Sequence, residues 1–432
     1  MIPISLDRLL SQRRTLLLQG PMGPFFATLA RTLRDHGQSV WKVNFNGGDD
    51  YYYQGDDVLP YTQPMADWPA WLRQVIQTHQ IEAIVVFGQT RVMHELALRE
   101  AKALGLTSFV FEEGYMRPDY VTLEVGGVNA DSSLSRDPAF YRQLNIEPQP
   151  APVPTNQKFS DVAFIARAYG AALWLAKKRY PHYEHHRCMA PLSETFRWVR
   201  SVFWRKPLYR WQESGLLEFL RAPAQRKRYF LVPLQVHNDS QVLCHSRFGS
   251  VSAFIVEVMQ SFAQHAPADQ RLVFKHHPMD RAYNNYRAQI EKLARELGVV
   301  GRVHYLHDQH LPTLLQHARG VVTINSTTGL QSLFHGTPVV TLGECFYAVP
   351  GMVHAGPLEA FWREPGKVNR VLYERFRAHT LRETQLNASF YADTPGLPSS
   401  TETSRRWALA SLSPTAEAHA LSWSSPTVPT LK

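Results

Sequence analysis

Short apolar runs alternate with stretches of helical period from residue 14 to residue 111, and the alternation returns between residues 229 and 342. The first series reads as strands over 14–19, 39–45, 83–87 and 107–111. Helices between them follow from Phe25, Phe26, Leu29, Ala30 and Leu33 on one face, and from the patterns at 69–78 and 92–104. The second series predicts strands over 229–236, 271–275, 302–306, 320–324 and 338–342. Its helices are expected over 250–264, 281–297, 312–319 and 327–335. Strands separated by helices of this length pair in parallel, because a parallel connection needs a crossover. The expected fold is therefore α/β, with two such units facing a cleft. Ligands of these sheets collect at the carboxyl ends of the strands, where the first unit has loops 20–24, 46–50, 88–91 and 112–119.

The run Pro148-Gln-Pro-Ala-Pro-Val-Pro154 reads as a stiff linker. The expected organisation is a first unit over 1–150, a helical segment over 158–225 and a second unit over 226–365. Residues 366–432 then supply a helical stretch and, after about Ser389, a loose Ser-, Thr- and Pro-rich tail. A hydrophobic share of 44% against 19% charged excludes a disordered chain. No apolar run approaches the ~18–20 residues that span a bilayer, and charge at Asp7 and Arg8 breaks any signal-peptide centre. Cys188, Cys244 and Cys345 are too far apart for a disulfide framework or a cysteine metal cluster. A cytoplasmic protein is expected.

The formal charge of +9 is concentrated in one place. Between residues 165 and 228, fourteen Lys and Arg stand against four acids, with Trp174, Trp198, Trp204 and Trp211 among them. Basic residues interleaved with indoles suit an anionic membrane surface. A nucleic-acid backbone attracts the same pattern, and a solvated helical face with its tryptophans in the core is the plain alternative.

Several strand-end loops carry chemistry. Asn325-Ser326-Thr327-Thr328-Gly329 opens a helix, where hydroxyls and free N–H groups make an anion site or Ser326 or Thr327 is simply a cap. In Lys275-His276-His277-Pro278, a cation and two imidazoles can neutralise a phosphate while Pro278 sets the turn. With 19 histidines in the chain, a surface turn reads as well. A metal at His276, His277 and Asp280 lacks sound ligand spacing. Glu112-Glu113-Gly114 places carboxylates at the cleft mouth as base or nucleophile, or forms an exposed acidic turn. Arg117, Asp239, Ser240, Gln241, Gly20 and Gly23 lie in further converging loops. The glycine loop is neither G-x-G-x-x-G nor G-K-[ST], which argues against NAD and ATP. A carboxylate facing phosphate-neutralising groups is the pairing that sugar transfer from a nucleotide needs.

The ordered set Glu112-Glu113-Gly114, Lys275-His276-His277-Pro278 and Asn325-Ser326-Thr327 resembles the motifs of bacterial transferases using CMP-activated sugars. The surrounding text, including FEEGYMRPDYVTLE and NSTTGLQSLFHGTPVVTLGECFYAVPGM, resembles the capsule polysaccharide biosynthesis family from about residue 14 to 365. The resemblance implies a GT-B-like fold with two Rossmann-like domains, an acceptor-side first half and a nucleotide-binding second half. It implies a glycosyltransferase that moves β-Kdo (3-deoxy-D-manno-octulosonic acid) from CMP-Kdo, with retention, to a (lyso)phosphatidylglycerol acceptor. Glu113 is then the nucleophile candidate with Glu112 behind it, although relatives carry Glu-Asp-Gly at this place. His277 and Lys275 would stabilise the CMP phosphate, with His276, Pro278, Asn325, Ser326, Thr327 and Thr328 around it, and no cofactor or metal. Arg117, Asp239, Ser240 and Gln241, with Gly20 and Gly23, would hold sugar or acceptor. The implied partners are the inner face of the cytoplasmic membrane and other capsule biosynthesis and export proteins, not nucleic acid. The alternatives are another CMP-sugar or acceptor, and a non-catalytic component of capsule export.

Overall fold

A computed structural model describes residues 2–145, 147, 149–185 and 191–398. Pro148 of the linker, Arg187, Cys188 and the tail beyond Pro398 lie outside the described residues. The first half contributes β1 (Arg14–Leu17), β2 (Ser39–Asn44), β3 (Val58–Pro60), β4 (Ala83–Phe87), β5 (Thr107–Glu113) and β6 (Tyr120–Val125). The second contributes β7 (Tyr229–Pro233), β8 (Arg271–Lys275), β9 (Val303–Leu306), β10 (Gly320–Thr323) and β11 (Val339–Thr341). A last strand, β12 (Gln385–Asn387), follows much later.

The sheets run β12-β6-β5-β4-β1-β2-β3 and β11-β10-β7-β8-β9. The second is parallel throughout, and so is the first from β3 to β5. Strands such as β7, buried at every position, read as continuous apolar runs because both sheet faces are covered. Strand order reverses between β1 and β4 and again between β7 and β10, the crevices where doubly wound sheets bind ligands. The expected α/β doubling is thus present. The helix Phe25–Asp35 buries the five residues its period pointed to.

Four differences matter. The expected loop at 46–50 is a helix, Gly47–Tyr52, because the Asn46 side chain accepts from the N–H groups of Gly48 and Asp49. Its glycines serve close approach rather than flexibility. A Cβ on Gly47 would stand 2.3 Å from the Ala172 carbonyl oxygen, and one on Gly48 2.5 Å from the Tyr169 ring.

Second, the helical insertion divides between the halves. The helix Phe159–Leu175 lies on Gly47–Tyr52 of the first half. A continuous helix from Pro191 through a π turn at Ser201–Arg205 to Gln212 docks on the second half. There Arg205 Nη1 donates to the Arg281 carbonyl at 2.6 Å, and Arg281 Nε donates to Ser201 Oγ at 2.9 Å.

Third, the chain returns. The helix Arg370–Thr384 leads into β12, which pairs antiparallel with β6 and extends the first sheet. The segment expected to be loose after about Ser389 is held as far as Pro398. Phe390 is buried against the rings of Phe25 and Phe87, and Ser389 Oγ donates to Gln157 at 2.6 Å. Fourth, the linker is tied to the first half, with Val153 N donating to Asn387 Oδ1 and Thr155 N to Asp119 Oδ1.

The halves meet where Tyr115 stacks on Phe346 with ring centroids 3.8 Å apart, and Arg136 donates to the Cys345 carbonyl at 3.2 Å. Replacing Gly47 by Ala is expected to part the two contacting helices and cost about 1–3 kcal/mol. The check is the thermal midpoint; an unchanged value would show that this close approach carries no stability.

Candidate active site

Strand β5 runs two residues further than expected, so Glu112 and Glu113 are strand residues with opposed side chains. Glu112 Oε1 accepts from the Glu113 N–H at 3.0 Å. Burial pushes the Glu112 carboxyl up to about 7. The Glu113 N–H and Arg91 oppose the rise, while the Glu113 and Asp239 carboxylates add to it. Glu113 is 44% exposed at its side chain and stands 3.7 Å from the Arg117 guanidinium, whose Nε donates to the Gly114 carbonyl. Gly114 allows the sharp exit from the strand, since a Cβ there would lie 2.0 Å from the Tyr120 carbonyl oxygen. Gln385, from β12, accepts from the N–H groups of Tyr115 and Met116 and so fixes the loop that follows.

The opposite wall is built at the ends of β7, β8 and β10. His277 caps the short turn Pro278–Asp280, its Nδ1 accepting from the Met279 N–H at 3.2 Å. With Nδ1 an acceptor, the neutral ring carries its proton on Nε2. Burial lowers the His277 pKa, as do Lys275 and Arg117, against Asp239 and Asp280. Arg117 belongs to the first half and Asp239 to the second, yet Arg117 acts on His277 and Asp239 acts on both His277 and Glu112. The two walls therefore share one electrostatic field.

Asp239 is held by the Gln241 N–H at 2.9 Å and by Gln235 Nε2 at 3.0 Å, which places Ser240 and Gln241 at the start of a short helix. Asn325 is a staple: its Oδ1 accepts from Gln235 and its Nδ2 donates to the Gln241 carbonyl at 2.8 Å. Ser326 Oγ accepts from the Thr328 N–H at 3.2 Å and reaches the Thr328 hydroxyl, while the Ser326 carbonyl accepts from Tyr347 OH. Thr327 occupies the cap position without a side-chain cap bond.

Other expected site residues are turned away. His276 is 1% exposed, its Nδ1 2.7 Å from Tyr305 OH, and burial lowers its pKa to about 3, so it is a core imidazole. Lys275 is buried with its ammonium on the His307 carbonyl at 3.2 Å, in the field of Asp308 and Glu213. Its charge bears on His277. Asp280 is fully buried and spends its Oδ1 on His237, so it does not join His276 and His277 around a common point. Gly20 sits against the Phe26 ring, and Gly23, at φ +106°, against Ile165. Both are packing positions.

Two groups escaped the motif reading. Arg91, after β4, donates to Gln19 Oε1 at 2.8 Å and bears on Glu112. Its position at the first sheet's switch point was the available signal. His237, two residues before Asp239, has its Nδ1 2.5 Å from the buried Asp280 carboxylate, which fixes the ring's orientation. Nothing in the spacing of residues 237 and 280 foretells that contact.

The sequence model of the capsule polysaccharide biosynthesis proteins matches residues 82–391. The capsule polysaccharide export protein KpsS of Escherichia coli is 42% identical over 389 residues, covering 90% of this chain and 99% of KpsS. The capsule polysaccharide modification protein LipB of Neisseria meningitidis serogroup B is 40% identical over 390 residues, 88% of this chain and 92% of LipB. Among solved structures, Thermosulfurimonas dismutans KpsC, a beta Kdo 2,7 transferase, covers 92% of this chain and all of its own at 14% identity. The TM-score of that superposition is 0.42. On the match across residues 82–391 and two relatives aligned along nearly their whole lengths, the chain belongs to the capsule polysaccharide biosynthesis family.

Proposed function

We propose that this chain is a retaining glycosyltransferase that moves β-Kdo from CMP-Kdo to (lyso)phosphatidylglycerol at the inner face of the cytoplasmic membrane. The donor and acceptor follow from the motif resemblance. The observation that carries the chemistry is the shared field of Glu112, Glu113 and Arg117 from one half with Asp239 and His277 from the other.

Retention calls for two inversions at the anomeric carbon. Glu113, beside Arg117, attacks that carbon while the bond to the CMP phosphate oxygen breaks and its electron pair leaves with CMP. His277 Nε2–H and the hydroxyls of Ser326, Thr327 and Thr328 stabilise the charge gathering on the phosphate. The lipid hydroxyl then attacks from the vacated side and releases Glu113. Its proton passes to Glu112, whose pKa near neutrality suits it to accept one. Because CMP leaves as a monophosphate, these donors take the place of a metal. Asp239, Ser240 and Gln241 hold the sugar or acceptor.

Incubation with CMP-Kdo and phosphatidylglycerol is expected to give a Kdo-lipid. Glu113→Gln should lower the rate by roughly 10³-fold or more, and His277→Ala by about 10²-fold. Equal turnover by Glu113→Gln removes that residue from the chemistry. Tight CMP binding with no product from any CMP-sugar moves the chain to a non-catalytic role in export.

The buried acid also makes a stability statement. A carboxyl whose folded pKa is raised to about 7 binds more protons folded than unfolded. Its contribution is fully present below the unfolded value near 4.5 and is lost as pH rises through 7. Glu112→Gln should therefore gain stability relative to the parent between about pH 5 and about pH 8. Urea unfolding at the two ends of that range reads the difference; a constant offset overturns the assignment.

A further inference from the structure

The helix running from Pro191 to Gln212 is amphipathic in the reverse of the usual sense. Its inner face buries Ser201 and Tyr209 against the second half. Its outer face carries Phe196, Val199, Phe203, Trp204, Leu208 and Trp211, spaced as one stripe, with Phe196, Phe203, Trp204 and Trp211 between 67% and 76% exposed. A water-facing helix normally presents polar residues there. The plain alternative, a helical face with its tryptophans in the core, fails for Trp174, Trp204 and Trp211, all more than 60% exposed.

Two cavities open along this helix. One, of about 630 Å³, is mainly apolar and includes Val199, Phe203, Trp204 and Leu208. The other, of about 500 Å³, is lined by Arg197, Arg200, Arg205 and His237. They share Phe196, Arg200 and Arg205, so an open apolar groove runs directly into a cationic one. His237, which lines the cationic groove, stands on the same loop as Asp239, two residues away.

We propose that this face docks on an anionic bilayer and draws one phospholipid into the paired cavities. The acyl end lies along the apolar groove and the phosphate among Arg197, Arg200 and Arg205. The headgroup's free end then points to the His237–Asp239 loop. Charge complementarity and the apolar stripe together select this occupant: indoles settle at headgroup depth and arginines pair with phosphate. Nucleic acid satisfies the arginines and the rings but has no aliphatic segment for Val199 and Leu208. The inference rests on the reading above in taking that phospholipid as the sugar acceptor.

The test is co-sedimentation of the full chain with phosphatidylcholine vesicles, with and without phosphatidylglycerol. The parent should prefer the doped vesicles, and more weakly as salt rises. Phe203→Ser with Trp204→Ser, both surface changes, should abolish sedimentation, and Trp211→Ser alone should weaken it. Arg197→Gln and Arg200→Gln should each lower partition into the doped vesicles about fivefold, the equivalent of ~1 kcal/mol. Glycerol phosphate in solution should compete poorly; full displacement by it would assign the cavity to a free phosphate. The proposal is overturned if the variants sediment like the parent, or if the parent ignores phosphatidylglycerol. It is equally overturned if an oligonucleotide binds while vesicles do not. Transfer to detergent-dispersed lipid separates the two ideas. Turnover without vesicle binding ends the docking surface and keeps the transferase, and vesicle binding without turnover does the reverse.

Discussion

A single buried amide, Gln385, ties β12 to the turn that follows the strand carrying the two glutamates. Its oxygen accepts the N–H groups of Tyr115 and Met116, and its nitrogen donates to Thr122 and Thr384. The Tyr115 donor is buried and the Met116 donor half-buried, and a buried donor left unmatched costs about 1–3 kcal/mol. The turn after Glu113 is thus held partly by β12, which lies beside β6, and partly by Thr122 of β6 itself. Tyr115 in turn stacks on Phe346, so the same turn is where the second half touches the first. Site geometry and the joint between halves hang on one local arrangement.

Burial, more than any ion pair, sets the protonation of the candidate site. It raises Glu112 and lowers His276 and His277, and in each case it is the largest cause. Glu113, half-exposed beside Arg117, has room to meet a ligand. Asp239 mediates between the walls because Gln235 and the Gln241 N–H hold its carboxylate in place. A polar staple at Asn325 keeps that loop and the Ser326 loop in step.

Much of this was legible from period and punctuation. β8 has the bounds its apolar run foretold, and the Lys275-His276-His277-Pro278 turn ends it as expected. What the run could not say is which imidazole faces outward; that depends on Tyr305, a residue of the neighbouring strand, taking His276. β12 was invisible because Gln385-Leu386-Asn387 is too short to show a period, and its partner lies some 260 residues away. The glycines at 47 and 48 looked like loop because their cause is Ala172 and Tyr169 on another helix. The outward turn of Phe203 and Trp204 was equally hidden, since period marks a stripe but not the side it faces.

The late return of the chain has a cost in time. At about 5–20 residues per second, the stretch from β6 to β12 takes on the order of ten seconds or more to be made. Throughout that interval the nascent first half presents β6 as an unpaired border, a template for any extended segment nearby. Vulnerability to misassociation thus belongs to the protein's birth on the ribosome, before the finished sheet closes its own margin.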